Sequence, residues 1–123
     1  MKIHTLDHVN IRTANLDAMV EWYGRVLDMP VGDRPPFGVP GAWLYCNNHP
    51  FIHLVGVEAV ASHEDLQLEH FAFSATGRAQ FLRHLEQENV AYRLSKVPKA
   101  DLLQVNISDF DGNHIHIDFS TLE

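Results

Sequence analysis

The sequence predicts an α+β fold: two βαβββ modules forming a cupped mixed sheet, with helices on the outer face. Three observations predict it. "LDHVNI" at 6–11 returns as "LEHFAF" at 68–73, each reading apolar, acidic, His, then alternating apolar residues. Each copy leads into a segment with apolar residues at helical spacing. Each half also closes alike, with "FIHLVGV" at 51–57 and "HIHIDFS" at 114–120, so that His53 matches His116. A repeat this long is a duplicated half-domain rather than a solenoid unit. It divides one domain, residues 1–123, into module 1 at about 1–60 and module 2 at about 66–123.

The elements follow in order. The opening strand of module 1 places His8, Asn10 and Arg12 on one face and Val9 and Ile11 on the other. A helix follows, with Leu16, Met19, Val20, Tyr23 and Leu27 on one stripe and Asn15 as its N-cap. A short strand lies near Met29–Gly32, before the irregular Pro/Gly-rich loop "GDRPPFGVPG". "GAWLYCN" and "PFIHLVGV" pair through a turn at Asn47–Pro50. In module 2 the helix carries Phe81, Leu82 and Leu85 on its stripe, with Thr76 as cap. "AYRLSKV" and "DLLQVNIS" flank a turn at Pro98–Ala100, and Asp111-Gly112-Asn113 turns the chain into the last strand beside "LLQVNI".

Composition narrows the function classes. In 123 residues, 46% are hydrophobic, enough to bury a core, and no apolar run is long enough to cross a bilayer. The start shows no secretory signal pattern, and the lone Cys46 excludes an intrachain disulfide framework. A cytoplasmic protein is the simplest expectation. The net charge of −7, with few and scattered basic residues, speaks against nucleic acid as a partner. The 9 histidines are many for this length and direct attention to metal or proton chemistry. His4, His49, His63 and His84 read as surface residues.

The other strand histidines repeat with the modules. By strand parity His8, His53, His70 and His116 all fall on the face away from the helices, which is the concave side. A single strand histidine is most often an ordinary polar residue with one partner. Four at duplicated positions are not explained that way. Imidazole is the commonest side-chain ligand of transition metals, so the four together suit one divalent ion.

These residues resemble the vicinal oxygen chelate superfamily, which includes glyoxalase I, bleomycin-resistance proteins, fosfomycin-resistance thiol transferases and extradiol dioxygenases. "LDHVNIRTANLDAMVEWYGRVLDM" is similar to the family's opening strand and helix, "LEHFAFSA" to the opening of its second module, and "DFDGNHIHIDF" to its closing segment. The resemblance covers essentially the whole chain. It implies His8, His70 and His116 as core metal ligands and His53 as the fourth. It departs from the family where the closing ligand is His116 rather than Glu, and again where His53 stands in place of a Glu common in glyoxalases. Such a set lacks the metal-bound Glu that serves glyoxalases as a proton shuttle.

The implied protein is a metal-dependent enzyme, dioxygenase-like or lyase- or isomerase-like, whose small substrate chelates the ion through neighbouring oxygens. Its cofactor is one divalent ion: Fe, Mn, Ni, Co or Zn. Open coordination positions favour an ion that takes five or six ligands. Asp118 and His114 flank His116 on the same face and are the candidate catalytic groups, Asp118 as base or as partner of a ligand. Asn10, Arg12, Tyr45, Phe51, Gln104 and Asn106 are the candidate substrate-binding wall. Side chains two apart on a strand are displaced by about 6–7 Å, so one residue of "HIHID" is expected to bind the ion. His116 is that residue by the repeat and the resemblance; the competing assignment makes His114 the ligand. The alternative class is a non-catalytic binding protein, like the bleomycin-resistance members. Short chains of this family commonly pair, so a homodimer is expected.

Overall fold

The computed structural model describes residues 1–2, 4–60, 68–97 and 100–123. Two compact units divide the chain, Met1–Ser62 and His63–Glu123. Each carries one helix and one four-stranded mixed sheet in the order β-α-β-β-β, which is the expected α+β architecture. His63, the expected start of module 2 near residue 66, and the first two residues of the Pro98–Ala100 turn lie outside the described residues.

The first unit contains β1 (Val9–Thr13), α1 (Leu16–Leu27), β2 (Val31–Gly32), β3 (Gly41–Cys46) and β4 (His49–Gly56). The sheet order is β1-β4-β3-β2, with β1 parallel to β4 and the other pairs antiparallel. Parallel neighbours need a crossover, which the helix and two intervening strands supply. The turn between β3 and β4 is tighter than the sequence suggested: Asn47 and Asn48 alone make it, both with positive φ (50° and 63°). Asn tolerates that region, and two such residues match the twist of a hairpin. A bulge between Leu44 and Tyr45 then shifts the register, so that Trp43 stands opposite His53.

The buried stripe of α1 is Met19, Trp22, Tyr23 and Val26. It is rotated from the expected one, since Leu16, Val20 and Leu27 are only half-buried. Asn15 is the N-cap residue, but its side chain makes no capping hydrogen bond; its backbone N–H donates to Thr13 Oγ1 at 2.9 Å. Ala42, Leu44, Ile52 and Leu54 supply the sheet's share of this core. On β3 and β4 the residues between these, Trp43 and His53, therefore face away from it.

The second unit contains β5 (His70–Ser74), α2 (Arg78–Gln87), β6 (Arg93–Lys96), β7 (Leu102–Ser108) and β8 (His114–Ser120). Its order, β5-β8-β7-β6, repeats the first, with β5 parallel to β8. Val105, Ile107, Ile115, Ile117, Phe119 and Leu85 form its core. On α2 only Leu85 of the expected stripe is fully buried; Phe81 and Leu82 are half-buried. The cap residue of α2 is Gly77 (φ 85°), not Thr76. Glu123 supplies the carboxylate there, accepting from the backbone N–H of Gly77 at 2.9 Å and of Arg78 at 2.6 Å. An anion at a helix N-terminus satisfies donors that the helix leaves free.

The turn that launches β8 is organised by buried Asp109. Its carboxylate accepts from the N–H of Asp111 (3.0 Å), the N–H of Asn113 (2.9 Å) and Asn113 Nδ2 (2.8 Å). Gly112 takes φ 87° inside that turn, which a side chain would oppose. No helix among the described residues is long and apolar enough to cross a membrane.

Candidate functional site

Strand register makes the internal repeat concrete. Asn10 pairs with His53 across β1 and β4, and Ala72 pairs with His116 across β5 and β8. His53 and His116 are therefore equivalent. So are His8 and His70, each two residues before those partners. His70 opens β5 directly, whereas His8 stands just ahead of β1. His114, paired with His70, has Phe51 as its counterpart in the first unit.

In the first unit three rings run across neighbouring strands. His53 stacks on His8 with centroids 3.9 Å apart and on Trp43 at 4.1 Å, nearly parallel in both cases. Phe37 extends the row at 6.0 Å from Trp43. His8 Nδ1 meets Asp7 Oδ2 at 2.6 Å. His49, half-buried rather than a plain surface residue, reaches the Asp7 carbonyl through Nε2 at 2.7 Å.

His53 Nε2 is buried and has no hydrogen-bond partner. Burial first, and then the neighbouring His8, push the His53 pKa down; a backbone hydrogen bond to Pro50 acts the other way. Proline has no N–H, so its backbone can only accept. The ring nitrogen that faces Pro50 must then donate, and Nε2 keeps a free lone pair. A half-buried imidazole whose buried nitrogen keeps an unused lone pair fits a metal ion.

The second unit gathers three imidazoles. His70 stacks on His116 with centroids 4.1 Å apart, and His114 stands edge-on to both, at 5.6 Å from His70 and 4.7 Å from His116. One ring nitrogen from each of His70, His114 and His116 lies within 4.8 Å of the others. The rings lean together, so the spacing along the strand does not keep His114 and His116 apart. Glu69 bridges two of the three. One of its oxygens meets His70 Nδ1 in a very short contact, and the other meets His114 Nδ1 at 2.9 Å. Both imidazoles pull the Glu69 pKa down to about 2, His70 more than His114.

The hydrogen bonds separate His114 from the other two. Asn106 Nδ2 is turned toward the Arg93 carbonyl (3.1 Å) and Ser95 Oγ (3.0 Å), which leaves Oδ1 facing His114 Nε2 at 3.0 Å. His114 Nδ1 already faces a carboxylate. Both its nitrogens already have polar partners, so proximity alone does not make it a ligand. His116 is buried, and its Nδ1 meets the Gln104 amide at 3.0 Å. An amide carries both a donor and an acceptor and can serve either tautomer of the ring. Burial is the main cause that lowers the His116 pKa, followed by His70 and His114.

The remaining sequence-derived candidates are placed as follows. Asp118 is half-buried on β8, and its Oδ1 is buried with no hydrogen-bond partner. Gln104 contacts His116 at 3.0 Å and Asn106 contacts His114 at 3.0 Å. Tyr45 lies over Gly32 and donates its hydroxyl to the Asp33 carbonyl at 2.5 Å. Phe51 packs on His49 with rings 4.4 Å apart. Asn10 and Arg12 are exposed on β1. Sequence reasoning missed Trp43, Asp7 and Glu69. The two acidic residues were visible in the "LDH" and "LEH" repeat; Trp43 depends on the bulge in β3.

The duplicated sheets, with matched histidines at their opening and closing strands, define a protein of two fused βαβββ units. The family model described as the Glyoxalase/Bleomycin resistance protein/Dioxygenase superfamily matches residues 5–117, and the chain belongs to that superfamily. No curated protein matches it. Among solved structures, a glyoxylase/bleomycin resistance protein/dioxygenase domain from Frankia sp. superimposes with a TM-score of 0.79 at 16% identity, covering 97% of this chain and 93% of the other. A lactoylglutathione lyase from Agrobacterium tumefaciens gives 0.73 at 17% identity, over 99% and 98% of the two chains. A genomically encoded fosfomycin resistance protein from Listeria monocytogenes gives 0.74 at 11%, over 98% and 97%. At these identities the likeness is one of fold.

Proposed function

We propose that this protein is a divalent-metal-dependent enzyme of the superfamily, with His8, His53, His70 and His116 as its metal-ligating residues. The observation that supports this most is the stacked imidazole pair built at the same register in both halves. The donor chemistry agrees. Burial favours the neutral form of His53 and His116, and His53 Nε2 has nothing else to bind. An ion held by neutral imidazoles keeps its full charge and supplies Lewis acidity toward a substrate with two neighbouring oxygens, or dioxygen chemistry if it is iron.

The chain's own residues divide the other work. Trp43, stacked on His53, gives the first half a flat apolar wall that suits a planar substrate. Asp118, with a buried oxygen left unpartnered, is the group best disposed to take a proton. His114, held between Glu69 and Asn106, stands as a polar ring beside His116. Asn10, Arg12, Tyr45, Phe51, Gln104 and Asn106 are the proposed substrate contacts. The reaction is of the lyase or isomerase type, or a dioxygenation.

Anaerobic purification followed by elemental analysis tests the metal. About one equivalent of Fe, Mn, Ni, Co or Zn per chain is expected, and no uptake of any of them sinks the reading. A screen of catechols, 2-oxo acids and glutathione hemithioacetals on the loaded protein then separates the reaction types. The reading includes a cytoplasmic homodimer, which sedimentation would contradict by showing a monomer at high micromolar concentration.

A further inference from the structure

Every opening histidine is preceded by an acid, in "LDH" and in "LEH". Neighbouring residues on a strand point to opposite faces, so a carboxylate cannot ordinarily reach the next ring. Here the ladders begin too late to impose that alternation: β1 starts at Val9 and β5 at His70. Asp7 and Glu69 lie ahead of their strands and fold back onto the Nδ1 of the next residue, Asp7 Oδ2 on His8 at 2.6 Å and Glu69 Oε2 on His70.

Both acids are exposed, and an exposed contact between sequence neighbours can be incidental. Two features argue otherwise. The same atom of the same ring is engaged in both halves. Each acidic residue is also held by a second histidine from the closing strand of its own half. His49 on β4 reaches the Asp7 carbonyl at 2.7 Å and stands 3.7 Å from its carboxylate. His114 on β8 reaches Glu69 Oε1 at 2.9 Å, across 45 residues of sequence. The fold thus anchors each acidic residue from a neighbouring strand, Asp7 through its backbone carbonyl and Glu69 through its carboxylate, by residues that differ between the halves.

We propose that Asp7 and Glu69 are positioning residues that fix His8 and His70 as Nδ1–H tautomers, so that each ring presents Nε2 as its ligand nitrogen, with His49 and His114 as the anchors of the two acidic residues. This rests on the reading above that His8 and His70 bind a metal. The physical basis is that an imidazole's two nitrogens are coupled. A carboxylate accepting from Nδ1–H leaves the lone pair on Nε2, aims the ring and raises its basicity toward a metal. His49 and His114 thereby gain a shared role that does not require either to be a ligand.

The test has two arms on the full chain. The first is a two-bond ¹H–¹⁵N correlation of the metal-free protein, at a pH where its imidazoles are neutral, which reports the tautomer of each ring. His8 and His70 are expected as Nδ1–H in the unaltered protein and as Nε2–H in Asp7→Ala and Glu69→Ala respectively. Asp7→Asn and Glu69→Gln keep an acceptor oxygen and should retain the Nδ1–H form. The second arm is Co(II) affinity by calorimetry, expected to fall about 10–100-fold in each Ala variant. Nε2–H tautomers in the unaltered protein, tautomers indifferent to the Ala changes, or shifted tautomers with unchanged Co(II) affinity would each overturn the proposal. Failure of the unaltered protein to take up Co(II) would instead remove the metal reading, and the tautomer arm alone would decide what the carboxylates do.

Discussion

Replacing His114 or His116 with alanine, one at a time, separates ligand from neighbour on the closing strand. The two rings are 4.7 Å apart and both contact His70, so distance does not distinguish them. Hydrogen bonding does. His114 faces Glu69 through one nitrogen and Asn106 Oδ1 through the other, so binding an ion would cost it one of these contacts. His114→Ala removes one of the two imidazoles on Glu69 but leaves the other, His70. Its effect should sit at the low end of what changes around a metal ligand produce, about tenfold in affinity or about 1.4 kcal/mol. His116 is buried, stacked on His70 and occupies the repeat position of His53. Losing a ligand should exceed the largest effect of losing a ligand's partner, so His116→Ala is expected to weaken Co(II) or Ni(II) binding more than about 100-fold, above about 2.7 kcal/mol. Titration calorimetry on both variants, with circular dichroism to confirm folding, measures the difference. If His114→Ala loses the metal while His116→Ala retains it, the assignment is reversed.

Asp109→Ala breaks three hydrogen bonds in the turn before β8 and leaves two backbone N–H groups without their acceptor. A loss of about 2–4 kcal/mol is expected by urea denaturation, against about 1 kcal/mol for Asp109→Asn, which keeps one acceptor oxygen; equal effects of the two would refute the role given to the carboxylate. Glu123→Ala uncaps α2 and should cost about 1 kcal/mol, read as a lower urea midpoint with an unchanged slope. The folded state depresses the His53 and His116 pKa values, so it binds fewer protons than the unfolded chain just below the usual imidazole value. The metal-free protein should therefore lose stability as pH falls from about 6.5 toward those lowered values, and should show little change from these rings above it; a thermal midpoint that rises across that fall would contradict the sign.

The local sequence by itself determined what depends on periodicity and repetition. "LDHVNI" and "LEHFAF" announce strands because apolar residues alternate, and their repetition announces two equivalent halves. The same alternation puts His53 and His116 on the face away from Leu54 and Ile117, since parity on a regular strand leaves no other choice. Parity fails where the ladder is irregular or absent. A regular hairpin closed by Asn47 and Asn48 would set Trp43 opposite Ile52; the bulge at Leu44/Tyr45 sets it opposite His53, and nothing in "GAWLYC" marks a bulge. Thr76 reads as a helix cap by residue type, yet the N–H groups at that end go to Glu123, over forty residues away in sequence. The grouping of His70, Glu69 and His114 is of the same kind. Which ring nitrogens already have partners depends on where Asn106 and the Glu69 carboxylate fall. Those contacts join separate strands, and only the assembled sheet brings them together.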